Sequence, residues 1–152
     1  MLFNRYTWTN VSFNDLIDKL ITLFDDPKVE MASVASTDLH KHDFTNDNVV
    51  KVNLDNENNA ISFVRNNIDP EQIYYRHIGI YAYTVKDLYL YCELPKSKSE
   101  INLSLEQFRF LDNGINIMAY CASSNPGASI DSVDNLNEIK GINNWIKTKN
   151  LY

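Results

Sequence analysis

The stretch that decides the fold is Tyr74-Tyr75-Arg76-His77-Ile78-Gly79-Ile80-Tyr81-Ala82-Tyr83. It is aromatic and β-branched, so it reads as a strand. A period of two places His77, Gly79, Tyr81 and Tyr83 on one face and Ile78, Ile80 and Ala82 on the other. A lone histidine in such a strand is ordinarily a core residue satisfied by one backbone partner. Two neighbours raise a functional reading. Arg76 precedes it, and Gly79 gives up packing on the same face, where a ligand or another backbone can come close.

Upstream, residues 49–54 and Ala60–Val64 are β-rich runs separated by Asp55-Asn56-Glu57-Asn58-Asn59. Asn and Asp tolerate left-handed turn conformations, so these runs form a hairpin with a five-residue loop. Arg65 follows its second strand. Residues 29–34 read as a further strand and 35–47 as a polar loop. Before them, Phe13, Leu16, Ile17, Leu20, Leu23 and Phe24 recur at helical spacing behind Ser12 and Asp15, and Pro27 closes the segment. Downstream, Thr84 with Asp87 caps a helix to about Cys92. Ser104 with Gln107 matches a capping box for a helix through Phe108 and Leu111, ending at Asn113-Gly114. Residues 115–120 read as a strand, 122–129 as a loop, and Ser132 as the cap of a last helix carrying Val133, Leu136 and Ile139. Strands interleaved with helices, plus one inserted β-hairpin, give a mixed-sheet α/β fold.

Composition narrows the function classes. The 152 residues carry 14 Lys+Arg against 20 Asp+Glu, a net charge of −6, which argues against nucleic acid as a partner. Apolar content of 44% rules out a disordered tail. No apolar run reaches the length of a membrane span and no signal-peptide core is visible, so membrane insertion is not expected and a cytoplasmic protein is. Cys92 and Cys121 make neither a disulfide framework nor a zinc site. Only four glycines occur, so a Gly-rich phosphate loop is absent. Six asparagines lie between residues 46 and 59, in a segment whose apolar periodicity continues unbroken.

Candidate site residues weigh differently. Asp38, His40 and His42 share a period of two that suits a divalent metal, but the pattern then stops, and a solvated polar loop explains them better. Arg65 is placed to meet an anion bidentately or simply to be solvated. Glu106 and Gln107 open a helix, where the dipole favours a carboxylate and Gln caps the N-terminus. Asp131, between Pro126-Gly127 and the cap at Ser132, stands at a strand-to-helix loop, a common place for a Mg²⁺ ligand.

Together these pieces resemble the CMP-Kdo synthetase (3-deoxy-manno-octulosonate cytidylyltransferase) family. Tyr75 to Tyr83 is similar to its signature strand, and Asn48-Val49-Val50-Lys51-Val52 through Phe63-Val64-Arg65 to its hairpin and following arginine. Leu105-Glu106-Gln107-Phe108-Arg109-Phe110-Leu111 is similar to its Leu-Glu-Gln-Leu-Arg helix, and Ile130-Asp131-Ser132-Val133-Asp134-Asn135-Leu136 to its closing Val-Asp-Thr-Pro-Glu-Asp-Leu segment. The resemblance implies a nucleotide-diphospho-sugar-transferase-like fold lacking the N-terminal nucleotide-binding strands. It divides the chain into an unmatched N-terminus (1–10), a sugar-binding and dimerising portion (11–140) and a C-terminal helix extension (141–152).

The implied reaction joins CTP and the acidic sugar Kdo, releasing pyrophosphate, as a step toward lipopolysaccharide. Mg²⁺ is the implied cofactor, with Asp131 as one metal ligand. Arg65 would face the sugar carboxylate, and His77, Glu106 and Gln107 the sugar hydroxyls. Departures bear on activity. Trp8, in Tyr6-Thr7-Trp8-Thr9-Asn10, stands where the family's second metal aspartate belongs, so no catalytic set is complete, and the Gly-, Arg- and Lys-containing nucleotide loop has no counterpart. Val64, Leu103 and Asp69 also replace family residues. The expectation is a truncated copy with little activity alone, forming a homodimer or pairing with a complete homologue, with an apolar sheet edge that invites aggregation. Two alternatives stand beside it: a non-catalytic sugar-binding or dimerisation module, and a relative of the sialic-acid cytidylyltransferases.

Overall fold

In the computed structural model, residues 13–123 are described. Ser12 and its cap, Trp8, Asp131 and the helix after Ser132 lie outside them. Helix α1 (Phe13–Thr22) runs into a 3-10 turn at Leu23–Asp25 and leads to strand β1 (Met31–Ser36). The β2–β3 hairpin (Lys51–Leu54, Ala60–Val64) and β4 (Tyr74–Tyr83) follow. Three helices, α2 (Val85–Glu93), α3 (Lys98–Leu103) and α4 (Phe108–Leu111), then precede β5 (Ile117–Ala122).

The five strands form one sheet in the order β3-β2-β4-β1-β5, antiparallel except for the β1–β5 pair. The mixed α/β reading therefore holds. β1, at Met31–Ser36, is buried along its whole length because both sheet faces are covered. On one face Leu16 and Leu20 of α1 pack over Ala32 and Val34, with Ile78, Ile80 and Ala82 alongside. On the other, Leu105 and Phe110 pack over Met31, Ala35, Phe63 and Ile117, with Tyr81 and Tyr83 alongside. The division of β4 into two faces is the one its alternation demands.

The hairpin loop closes as its composition implies. Asp55 Oδ1 accepts from the backbone N–H groups of Glu57 and Asn59, each at 2.8 Å, and Asn58 takes the left-handed conformation with φ 65°. The hairpin tip then reaches the outer edge of β5, where Ala119 N donates to Asn58 O at 2.8 Å.

Three local expectations need correction. The segment 35–47 is not a featureless polar loop: β1 continues to Ser36, a 3-10 turn spans Lys41–Thr45, and Asp43 is buried. A helix was missed at Lys98–Leu103, where Ser97 accepts from Glu100 N and Glu100 reaches back to Ser97 N, a true capping box. Ser104 opens no helix. It ends α3 in the left-handed conformation, φ 53°, and Gln107, next to α4, makes no side-chain cap.

Candidate functional site

The face of β4 that carries His77 and Tyr81 is walled by aromatic rings. The Phe63 ring meets His77 edge-on at 4.9 Å between centroids, and the Tyr81 ring lies 5.5 Å from that of His77. Tyr81 Oη lies 3.2 Å from Glu106 Oε1 and 3.4 Å from Gln107 Oε1. His77, Glu106 and Gln107, far apart in sequence, are therefore brought together, with Tyr81 as the link that sequence reading left out. Its parity with His77 was the available signal.

The chemistry of this cluster follows from burial. Desolvation lowers the His77 pKa from 6.5 to about 4, so its imidazole is neutral near pH 7. Burial, reinforced by the Glu106 carboxylate, pushes the Tyr81 phenol well above its ordinary range, so it stays protonated and donates. One phenolic proton cannot serve two acceptors. It goes to Glu106, the nearer, and the Gln107 amide completes the set when its Nε2 is turned toward Tyr81, since amide O and N are assigned from the network. Glu106 is exposed, whereas Gln107 is only 1% exposed and lies behind Tyr81. Gly79 is exposed, and a Cβ there would meet nothing within 4 Å, so there is open space on this face.

Arg65 shares no hydrogen bond with these three; its guanidinium is engaged elsewhere. Its Nη1 donates to Asp47 O at 2.9 Å, leaving further donors of the guanidinium uncommitted. Its backbone carbonyl accepts from Lys51 Nζ, which also donates to Asn46 O at 3.0 Å. Lys51 is fully buried, and burial lowers its pKa despite the nearby Asp43 and Asp47 carboxylates. Arg76, although next to His77, points to another task, an ion pair with buried Asp43 at 2.7 Å.

The histidine pair does not form a metal centre. His40 Nε2 lies 3.0 Å from Asp38 and His42 Nε2 3.3 Å from Asp43, so their partners differ. Among the described residues no group of three or more His, Cys, Asp or Glu side chains is arranged to hold a metal ion. Asp131, the expected Mg²⁺ ligand, lies outside the described residues.

The 3-deoxy-manno-octulosonate cytidylyltransferase of Polynucleobacter asymbioticus is 35% identical over 127 residues, 78% of this chain and 50% of that protein. The Neisseria gonorrhoeae protein of the same name is 35% identical over 143 residues, 84% of this chain and 56% of its own. The chain is a relative of the CMP-Kdo synthetases. It spans about half the length of the curated relatives it matches. A solved CMP-Kdo synthetase (CMP:2-keto-3-deoxy-manno-octonic acid synthetase) complexed with CTP superposes with a TM-score of 0.75 at 27% identity, covering 85% of this chain and 55% of that one. No family model matches the chain. Among the described residues no helix is long and apolar enough to cross a membrane.

Proposed function

We propose that this chain supplies the sugar-binding half of a cytidylyltransferase of the CMP-Kdo synthetase type, which joins CTP and Kdo with release of pyrophosphate. The observation that carries the reading is the convergence of His77, Tyr81 and Glu106 beside the open space at Gly79, in a chain related to these synthetases. A polyhydroxy acid needs hydrogen-bonding groups for its hydroxyls and a cation for its carboxylate. His77 and Glu106 serve the hydroxyls, Gln107 braces Tyr81 from behind, and Arg65 meets the carboxylate through its uncommitted donors. These residues bind and orient the sugar. The Mg²⁺ ligand of this reading, Asp131, lies outside the described residues.

Titration of the 152-residue chain with Kdo, followed by isothermal calorimetry, tests this directly. Saturable binding is expected, weakened at least tenfold by Arg65→Ala and by Glu106→Ala. Gly79→Ala is the sharper variant. Its Cβ meets no protein atom, so unfolding stability should hold while affinity drops. Absence of binding by a folded wild-type chain would sink the reading. Pyrophosphate release from CTP and Kdo by the 152-residue chain alone is expected to be negligible, because it contains no Gly-rich phosphate loop.

A second reading is a dimerisation module that pairs with a complete synthetase. It is favoured by the apolar side chains Val85, Leu88, Tyr89, Ile101 and Leu103, which α2 and α3 leave exposed. Co-purification with a full-length homologue would support it, and a strictly monomeric chain that ignores the homologue would count against it.

A further inference from the structure

β4 departs from regular pairing beside the candidate site. Its register with β1 steps from Ser33↔Tyr81 to Val34↔Ile78, so Gly79 and Ile80 form a two-residue bulge. Two extra residues preserve the alternation of faces, which is why His77 and Tyr81 still share one side. Ser33 clasps this bulge. Its Oγ lies 3.0 Å from Ile80 O, within the bulge, and 3.0 Å from His77 Nε2, just before it. Ser33 is buried.

A serine hydroxyl has one proton. The Ile80 carbonyl can only accept, so the Ser33 proton is committed there. His77 Nε2 must then be the donor toward Ser33 Oγ. Nδ1 carries the lone pair. It has no protein partner among the described residues.

We propose that Ser33 is a positioning residue that fixes His77 as the Nε2–H tautomer, so that the imidazole offers a hydroxyl ligand one hydrogen-bond acceptor, Nδ1, and no donor. The tautomer follows from the Ser33 geometry alone; its consequence for a sugar hydroxyl rests on the sugar-site reading above. A sugar hydroxyl would then donate to Nδ1 while accepting elsewhere, which fixes its rotor. The neutral state of His77, already required by its burial, is consistent with a ring that donates on one side and accepts on the other.

Long-range ¹⁵N–¹H correlation spectra of the His77 ring in the full 152-residue chain test this. The wild type is expected to show protonated Nε2 and unprotonated Nδ1. Ser33→Thr, which keeps the hydroxyl, should retain that pattern. In Ser33→Ala the Nδ1–H form should rise measurably above its wild-type share. A wild-type ring protonated at Nδ1 would overturn the proposal even if Ser33→Ala fails to fold, and so would a folded Ser33→Ala with an unchanged tautomer. Addition of Kdo provides the separating arm. With the tautomer as expected, an Nδ1 signal that ignores saturating Kdo would overturn the sugar-site reading and leave the role of Ser33 standing.

Discussion

His77 ties its own stability to pH. Its native pKa, about 4, lies below the ordinary 6.5, so between those values the unfolded chain takes up a proton that the native ring refuses. The sign follows: the contribution is complete above pH 6.5 and is lost as pH falls toward 4. The gap is worth roughly 3 kcal/mol in full. Urea unfolding at pH 7 and pH 4.5 should therefore show a loss in the wild type that exceeds the loss in His77→Gln by about 2 kcal/mol. Equal losses in the two proteins would show that the ring is not desolvated. The sequence reading reached His77 because parity in β4 is local. It did not reach Ser33, because the bulge that brings the two together exists only where β4 meets β1, and nothing local to residues 31–36 encodes a shift in their partner.

At the scale of elements, the segment between α2 and β5 shows why one motif can be read two ways. Ser97-Lys98-Ser99-Glu100 and Ser104-Leu105-Glu106-Gln107 both satisfy the Ser-x-x-Glu/Gln pattern of a helix start. Only the first is one, because Glu100 is additionally held by Arg109, whose Nε and Nη2 donate to its two carboxylate oxygens at 2.8 and 2.5 Å. That partner lies nine residues away, out of range of a local pattern. The Arg109 hydrogen bond holds the Glu100 carboxyl below its ordinary range, and the guanidinium stacks over Tyr91 at 4.3 Å. Opposite outcomes follow for the two serines. Ser97→Ala should lower unfolding stability by about 1 kcal/mol through loss of the cap. Ser104→Gly should be neutral or stabilise by up to about 1 kcal/mol, since the left-handed conformation there suits glycine. Thermal unfolding of the two variants side by side decides it, and a destabilised Ser104→Gly would contradict the assignment.

Across the whole molecule, the hairpin, the 37–50 segment and β4 are joined by a buried polar network, and this was the least legible feature. A lysine in a β-rich run reads as an outward-facing residue, and the Asn48-to-Val52 motif gave no hint that Lys51 turns inward. Its acceptors, the carbonyls of Asn46 and Arg65, are brought together by the hairpin pairing rather than by any local pattern. Beside it, burial would raise the Asp43 carboxyl. The His40 N–H and the Arg76 guanidinium outweigh that effect and hold it below its ordinary value. A depressed carboxylate contributes stability above its unfolded pKa of 3.8 and loses it as pH falls through the native value, so this network opposes unfolding down to about pH 4 and fails below it. Because Lys51 holds the carbonyl of Arg65, its loss should loosen the hairpin end together with the proposed anion contact. Lys51→Met is close in length and apolar, so it leaves no large cavity, but it strands two carbonyls without their donor. We expect a destabilisation of about 2–4 kcal/mol, seen as a lower urea midpoint with an unchanged slope. Kdo affinity should fall even at temperatures where the variant is fully folded. An unchanged midpoint would mean that water replaces the ammonium at both carbonyls and that Lys51 is not what holds Arg65 in place.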